Sequence, residues 1–462
     1  MGRFIGLAGI LIFLAVGWAL SRNRKAIAWK TILVGLGLQW TLAVLVLKGD
    51  GIARLLSPVP WVAGLGWAAL GLLLAPFLLK RYAHFESRPL AWTCMGLAGF
   101  LILRGNILGW GFDRLRMAVE KIMDYGITQG AAFVFGAKLT DPAGPAGFVF
   151  AFRVLPVIIF VGAIFAILYY LGVMQVIVAG GARLLRGVMK VSGAEAVCAV
   201  ANVFMGQTEA PLTVRPFLAR LTDSELMTVM ITGMASVSGS IMVTYHQMAG
   251  VEIKHLLTAA MMSAPSALLM AKLLEPESLE PETNSVVAVD ADMGDANLLD
   301  AAARGTSDGL QLAINVAAML ISFIALLALV NGVVAALHPG WSLEALMGIL
   351  FRPVAFLMGI PWSEAGQVGA FLGKRVVTNE IVAFLDLKAA MASADPLSPR
   401  SFLICTYALT GFANLSSIAI QLGGIGALVP ARRGDLARLG LRAMLGATLA
   451  NFMSACIAGV LF

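Results

Sequence analysis

Apolar stretches close to the length of a membrane span recur along this whole chain, and that recurrence decides most of what it can fold into. They run over 4–20, 31–47, 59–79, 89–110, 150–172, 226–247, 253–274, 309–337, 401–423 and 437–461. A helix of roughly 20 apolar residues crosses the hydrocarbon core of a bilayer. Hydrophobic residues make up 59% of the 462 residues and charged ones only 13%, against about 25% charged in an ordinary soluble domain. The pattern predicts an all-α polytopic membrane protein of about ten spans, because only helices and closed barrels satisfy their backbones in lipid. A soluble enzyme is excluded. The apolar run before Ser21 is followed by a basic stretch without a small-residue cleavage site, so it reads as the first span rather than a signal peptide.

The formal net charge of +7 does not point to nucleic acid, because Lys and Arg cluster between the apolar stretches. The positive-inside rule places such loops in the cytoplasm. Arg22, Arg24 and Lys25 follow the first span; Lys80, Arg81 and Arg88 follow the third; Arg183, Arg186 and Lys190 follow the fifth; Arg432, Arg433 and Arg438 precede the last. These loops lie on one side only if the segments 173–222 and 340–395 each enter and leave on the same face. Both are therefore read as re-entrant, one from each side, with the N- and C-termini periplasmic. Cys94, Cys198, Cys405 and Cys456 lie in or beside apolar segments without a CxxC pair, so neither a disulfide framework nor a zinc site is expected.

The two re-entrant segments are interrupted by Gly, Pro and polar residues at membrane depth. Such backbone survives there only where it lines an enclosed cavity, and a matching pair of interruptions indicates an inverted repeat. The expected organisation is N-terminal spans over 1–110, a surface region over 111–147, a first repeat over 150–275 and a second over 309–462. The 276–308 stretch between the repeats is rich in Asp and Glu and reads as a solvated cytoplasmic linker. Over 111–125, Phe112, Leu115, Val119 and Ile122 share one helical face opposite charged residues, which predicts an amphipathic helix along the membrane surface.

Each hairpin carries a carboxylate among amides and hydroxyls. The first reads Asn202-Val-Phe-Met-Gly-Gln-Thr-Glu209-Ala-Pro211 and the second Gly373-Lys-Arg-Val-Val-Thr-Asn-Glu380. An intramembrane carboxylate costs about 2.5–3.5 kcal/mol on insertion scales and so faces a cavity or a partner. The following spans break in a matching way, at Gly233-Met-Ala-Ser-Val-Ser-Gly-Ser240 and Gly411-Phe-Ala-Asn-Leu-Ser-Ser417. Broken helices free carbonyls and half-helix ends that hold a cation or a polar solute. Two carboxylates with amides and hydroxyls, and no basic cluster, suit a neutral solute rich in hydroxyl groups.

The strings GQTEAPL, the Asn-Glu ending of the second hairpin and GFANLSSIAI resemble signature segments of the concentrative nucleoside transporter family. FAFRVLPVIIF and DGLQLAINVAAML resemble its flanking helices, and the likeness covers residues 130–462 and the first two spans. The resemblance implies a bacterial inner-membrane symporter that carries nucleosides such as uridine and adenosine inward with sodium. It further implies a homotrimer whose hairpin-bearing part moves as an elevator. By position, Gln207 and Thr208 would contact the nucleobase with Glu209 nearby. Glu380, Asn414 and Ser417 would hold the ribose, and Phe412 and Ile241 would pack against the nucleoside. Sodium would bind the Asn202 side chain, the Ser236 hydroxyl and the carbonyls of Met205 and Val237. Compact bacterial members run from the second span to the surface helix; here 58–107 inserts what reads as two extra spans.

Three other readings compete. A proton could replace sodium as the coupling ion, taken up on a carboxylate such as Glu209. An intramembrane enzyme is disfavoured, since no HExxH or GxSxG occurs and His84, His246, His255 and His338 lack ligand spacing. A channel fits opposed hairpins around a midplane site less well than alternating access does. No GxxxxGK[ST] loop supports ATP drive.

Overall fold

The computed structural model describes residues 2–48, 114, 117, 121, 124–141, 149–284, 294–339 and 341–462. The extra pair of spans read over 58–107 lies outside these residues, as does most of the surface helix read over 111–125. The chain divides into two units, one of residues 1–39, 121–460 and 462, the other of 40–120 and 461. Apart from the end of the second helix and Leu461, everything that follows concerns the first.

The described residues are helical, with no strand among them, as the apolar pattern requires. Helix α1 spans Gly2–Ala19 and α2 spans Trp29–Leu47. After a short turn at Phe150–Arg153 comes α3, Leu155–Tyr170. Gly172, in the left-handed conformation, separates it from α4, Val173–Met189. The next elements are α5, Gly193–Ala201; a 3-10 stretch, Ala210–Arg220; α6, Asp223–Ala235; α7, Gly239–Ala249; and α8, Ile253–Leu274. The second half opens with α9, Leu298–Leu337, then α10, Leu343–Leu357, α11, Trp362–Val377, and α12, Glu380–Met391. It closes with α13, Pro399–Leu409, α14, Leu415–Leu428, and α15, Arg433–Leu461.

Element for element, both halves contain an apolar helix, an amphipathic helix, a buried hairpin, a broken helix and a long final helix. The amphipathic members account for the front of each segment read as re-entrant. In α4 the buried Met174, Val178, Ala182, Leu185 and Met189 recur every three or four residues, one stripe of a helix. The buried hairpins are correspondingly shorter, with limbs over 193–220 and 362–391. A bend of 118° between α10 and α11 turns the chain into the second hairpin.

The helix starts follow local chemistry. Ser192 with Glu195 and Thr222 with Glu225 form capping boxes at α5 and α6, each satisfying amides that the first turn leaves open. Asn297 caps α9 through the amides of Leu299 and Asp300, which starts that helix 11 residues before the apolar run at 309. The acidic stretch is tied down at its ends: Glu275 pairs with Arg22 at 2.9 Å and Arg442 at 2.8 Å, and Asp295 with Arg304 at 2.7 Å. Lys272, buried in α8, pairs with Glu195 at 2.6 Å, which fixes the root of the first hairpin.

The two broken helices meet at one amide. Asn451 Nδ2, on α15, donates to Ala235 O at 2.7 Å and to Thr410 O at 2.9 Å, the carbonyls at the ends of α6 and α13. Its Oδ1 accepts from Arg375 Nη2 at 2.8 Å, and Arg375 also donates to Ala408 O. The Phe412 amide donates to Ser236 O at 3.3 Å, joining the breaks directly. A Cβ on Gly411 would stand 2.5 Å from Asn451 Oδ1, so this approach needs glycine.

Asn451→Leu should strand two carbonyls and one guanidinium N–H. At about 1–3 kcal/mol per buried unsatisfied group, the loss is on the order of 3–5 kcal/mol. The purified variant is expected to melt well below the parent; an unchanged melting temperature would show that the breaks hold without this residue.

Candidate functional site

The hairpin ends and helix breaks bring four of the expected solute contacts into one hydrogen-bonded thread. Glu380, the first residue of α12, follows Asn379, whose side chain caps that helix by accepting from Val382 N at 3.0 Å. Asn414 Nδ2 donates to Glu380 Oε2 at 2.9 Å. Asn414 Oδ1 in turn accepts from Ser417 N at 2.9 Å and Ser416 Oγ at 2.6 Å, which starts α14. From the first hairpin, Gln207 Nε2 donates to Ser417 Oγ at 3.1 Å. Glu380, Asn414, Ser417 and Gln207 are all buried. The thread presents a carboxylate, amides and a hydroxyl, groups able to exchange hydrogen bonds with a neutral polyhydroxyl solute.

The other expected contacts stand around it. Thr208 packs its methyl against α14, where a Cβ on Gly424 would come within 2.6 Å. Phe412 is half-buried in the second break and Ile241 is buried in the first turn of α7. Glu209 lies apart. Its carboxylate accepts from the Gly206 amide and lines a different cavity of about 120 Å³, with Tyr169 of α3, Ser238, and Arg304 and Asp308 of α9. None of the four thread residues lines that cavity.

The proposed cation ligands sit on two adjoining segments. Asn202 Nδ2 donates to Cys198 O at 3.0 Å and to Thr232 Oγ1 at 3.2 Å, one helical turn before Ser236. The Gly239 amide donates to Phe204 O at 3.1 Å, docking the tip of the first hairpin on the first break. Asn202 Oδ1 and Ser236 Oγ are both buried and have no hydrogen-bond partner among the described residues. A buried acceptor left open costs about 1–3 kcal/mol, and two at one junction are the donor set a hard cation takes from a protein. Met205 and Val237 are buried at the same junction.

Sequence reasoning missed three residues. Gln421 Nε2 donates to Gln207 Oε1 at 3.3 Å and to Met230 O at 3.0 Å, holding the hairpin amide in place. It stands one helical turn after Ser417, a spacing that would have flagged it. Asn451 is a polar residue in the middle of an apolar run, a signal of the same kind. Tyr245 of α7 stacks on Phe384 of α12 with ring centroids 4.3 Å apart, one turn beyond Glu380, and nothing in the sequence pairs them.

Comparison with known proteins agrees with this architecture. Residues 255–459 match the family described as Na+ dependent nucleoside transporter C-terminus, and 8–61 its N-terminus. Residues 151–252 match the domain described as nucleoside recognition. The chain is 38% identical to an uncharacterized transporter of Haemophilus influenzae, over 100% of this chain and 98% of that one. It is 40% identical to the nucleoside permease NupC of Helicobacter pylori, over 82% of this chain and 92% of that one. Sodium/nucleoside cotransporter 1 of Rattus norvegicus is 33% identical, over 100% of this chain and 64% of that one. Among solved structures, CNTnw in an inward-facing substrate-bound state superposes with a TM-score of 0.83 at 36% identity, covering 100% of this chain and 98% of that one.

Gly233 carries a test of the thread. A Cβ there would stand 2.8 Å from Gln421 Nε2 and 3.0 Å from Gln207 Cβ. Gly233→Ala is therefore expected to displace both amides and raise the solute KM about tenfold, the worth of one or two hydrogen bonds. An unchanged KM would detach Gln207 from the solute.

Proposed function

Because this chain belongs to the concentrative, sodium-dependent nucleoside transporter family, we propose that it imports nucleosides by symport with sodium, through alternating access of elevator type. The family is one of transporters, not enzymes. The observation that carries the sodium assignment is the pair of open buried oxygens, Asn202 Oδ1 and Ser236 Oγ, at the junction of the first hairpin and the first break. A proton would leave these neutral acceptors unsatisfied, whereas a sodium ion completes them, with the carbonyls of Met205 and Val237 as further ligands.

On this reading Glu380 and Asn414 take the ribose hydroxyls. Gln207 takes the nucleobase, with Thr208, Phe412 and Ile241 shaping the walls around it. Ser417 hydrogen-bonds both Gln207 and the Asn414 carbonyl, so base and ribose are held in one register. Glu209 is assigned a place at the margin, since it lines the cavity toward α3 and α9. Those two helices pack along each other and fit the fixed scaffold against which the hairpins and broken helices travel. CNTnw has been solved in inward-facing, outward-facing and intermediate states, which supports the same cycle here. We place the protein in the bacterial inner membrane as a homotrimer with periplasmic termini, from the basic loops and the family's habit.

Energetically the scheme closes. One charge crossing about 100 mV releases roughly 2.3 kcal/mol, enough for about 50-fold accumulation at 1.4 kcal/mol per decade.

The test is uptake of radiolabelled uridine by proteoliposomes under an inward sodium gradient, compared with an equal potassium gradient. Accumulation above equilibrium with sodium alone is expected. Uptake that follows a pH gradient instead would move the coupling to a carboxylate. Failure with uridine, adenosine and inosine alike would remove nucleosides as substrates.

Two variants divide the site. Glu380→Gln should abolish most uptake, because it replaces the charged acceptor with an amide and disturbs Asn414. Asn202→Ala should raise the sodium concentration needed for half-maximal uptake while leaving the ranking of nucleosides intact. A sodium response unchanged in Asn202→Ala would place the ion elsewhere.

A further inference from the structure

The C-terminal end of α4 carries a groove that neither the solute nor the ion uses. Its volume is about 450 Å³ and its lining is Arg183, Arg186, Gly187, Lys190 and Val191. Arg183 and Arg186 are three residues apart on one face of α4, and Lys190, the residue that ends the helix, lines the same groove. Arg183 and Lys190 are exposed, and neither has an ion-pair partner among the described residues. Gly187 forms an open floor between them, since a Cβ there would meet nothing within 4 Å among the described residues.

The aliphatic surface beside the cations is equally exposed. Leu184 and Val188 on the same two turns are 60% and 42% accessible, and Val176 two turns further back is 75% accessible. A free phosphate would use the cations and leave this surface in water. An amphiphile with an anionic head and acyl chains uses both.

A second observation concerns the backbone. Lys190 is the one non-glycine residue with positive φ among those described, at φ 55°. Helices commonly end in this left-handed conformation, and glycine is the residue that takes it without strain. Lysine takes this conformation at a cost that glycine would avoid. Lys190 also borders a second cavity, whose lining includes Ala26 and Ala28 of the connection between α1 and α2 and Thr31 of α2.

We infer that this groove is a binding site for the head group of an anionic phospholipid, with Arg183, Arg186 and Lys190 as its cationic clamp and the Leu184–Val188 surface under its acyl chains. The site stands at the root of the first hairpin, two residues before the Ser192 cap of α5.

The experiment is native mass spectrometry of the purified full-length protein, titrated with phosphatidylglycerol and, separately, with phosphatidylcholine. The parent should retain phosphatidylglycerol selectively. Affinity should fall about fivefold for each cation removed, about 1 kcal/mol apiece, in an Arg183→Gln, Lys190→Gln double variant. Lys190→Gly guards against misfolding, because glycine suits the left-handed position: it should melt no lower than the parent and still bind the lipid more weakly. Equal retention of the two lipids would overturn the proposal. So would parental affinity in either variant, or displacement of the lipid by inorganic phosphate at matching concentration.

Discussion

A helix broken inside a membrane must find partners for the backbone groups it frees, and in this protein one asparagine meets that demand for both breaks. The terminal carbonyls of α6 and α13 share the two hydrogens of Asn451 Nδ2, and the remaining oxygen is taken by Arg375. Both N–H donors of the amide are thereby used, and exchanging its nitrogen and oxygen would break all three bonds. Water supplies such bonds in a soluble protein; at membrane depth the protein has to supply them itself. The breaks can therefore coexist only while α15 and the second hairpin stay in place. This explains why a long, apolar final helix is buried along most of its length.

That constraint also makes the site a property of both halves together. Glu380 comes from the second hairpin, Asn414 and Ser417 from the second break, and Gln207 from the first hairpin, yet they form one chain of hydrogen bonds. Gln421 then fastens Gln207 to the Met230 carbonyl on α6. A network of this kind holds polar side chains at fixed positions, because each is oriented by the next, although the buried Gln421 Oε1 has no partner among the described residues. A solute entering it exchanges bonds with groups already oriented, and loses less to ordering than it would in a loose cleft.

Much of this was legible in the sequence because the membrane narrows what polar residues can mean. Glu380, Asn414, Ser417 and Gln207 stood out as polar residues in apolar runs, and the structure brings them together. Asn202 and Ser236 were named by resemblance alone, and their open oxygens follow from packing that no spacing reveals. The hairpins were drawn too long because α4 and α10 are apolar enough to merge with them; only the three-to-four-residue spacing of the buried face separates the elements. Glu209 was placed near the solute by the same resemblance. The Glu209 carboxylate turns back to the Gly206 amide and lines the α3–α9 cavity. Gln421 and Asn451 were visible as polar residues, but their roles depend on contacts across more than 200 residues of chain.

The proposed coupling follows from where the ion's ligands stand relative to the solute's. Asn202 and Gln207 belong to one hairpin tip, and the Phe204 carbonyl of that tip docks on the Gly239 amide beside Ser236. With no cation the tip holds two buried oxygens unsatisfied, so its docked form is penalised. A cation at the junction removes the penalty and favours the conformation in which Gln207 meets Ser417. Solute binding, which needs that conformation, then strengthens ion binding by the same factor, because linkage is reciprocal. Satisfying two acceptors of about 1–3 kcal/mol each is enough to account for coupling in the usual range of 1–3 kcal/mol. On this argument the ion need not touch the nucleoside; it acts by settling the backbone that carries Gln207.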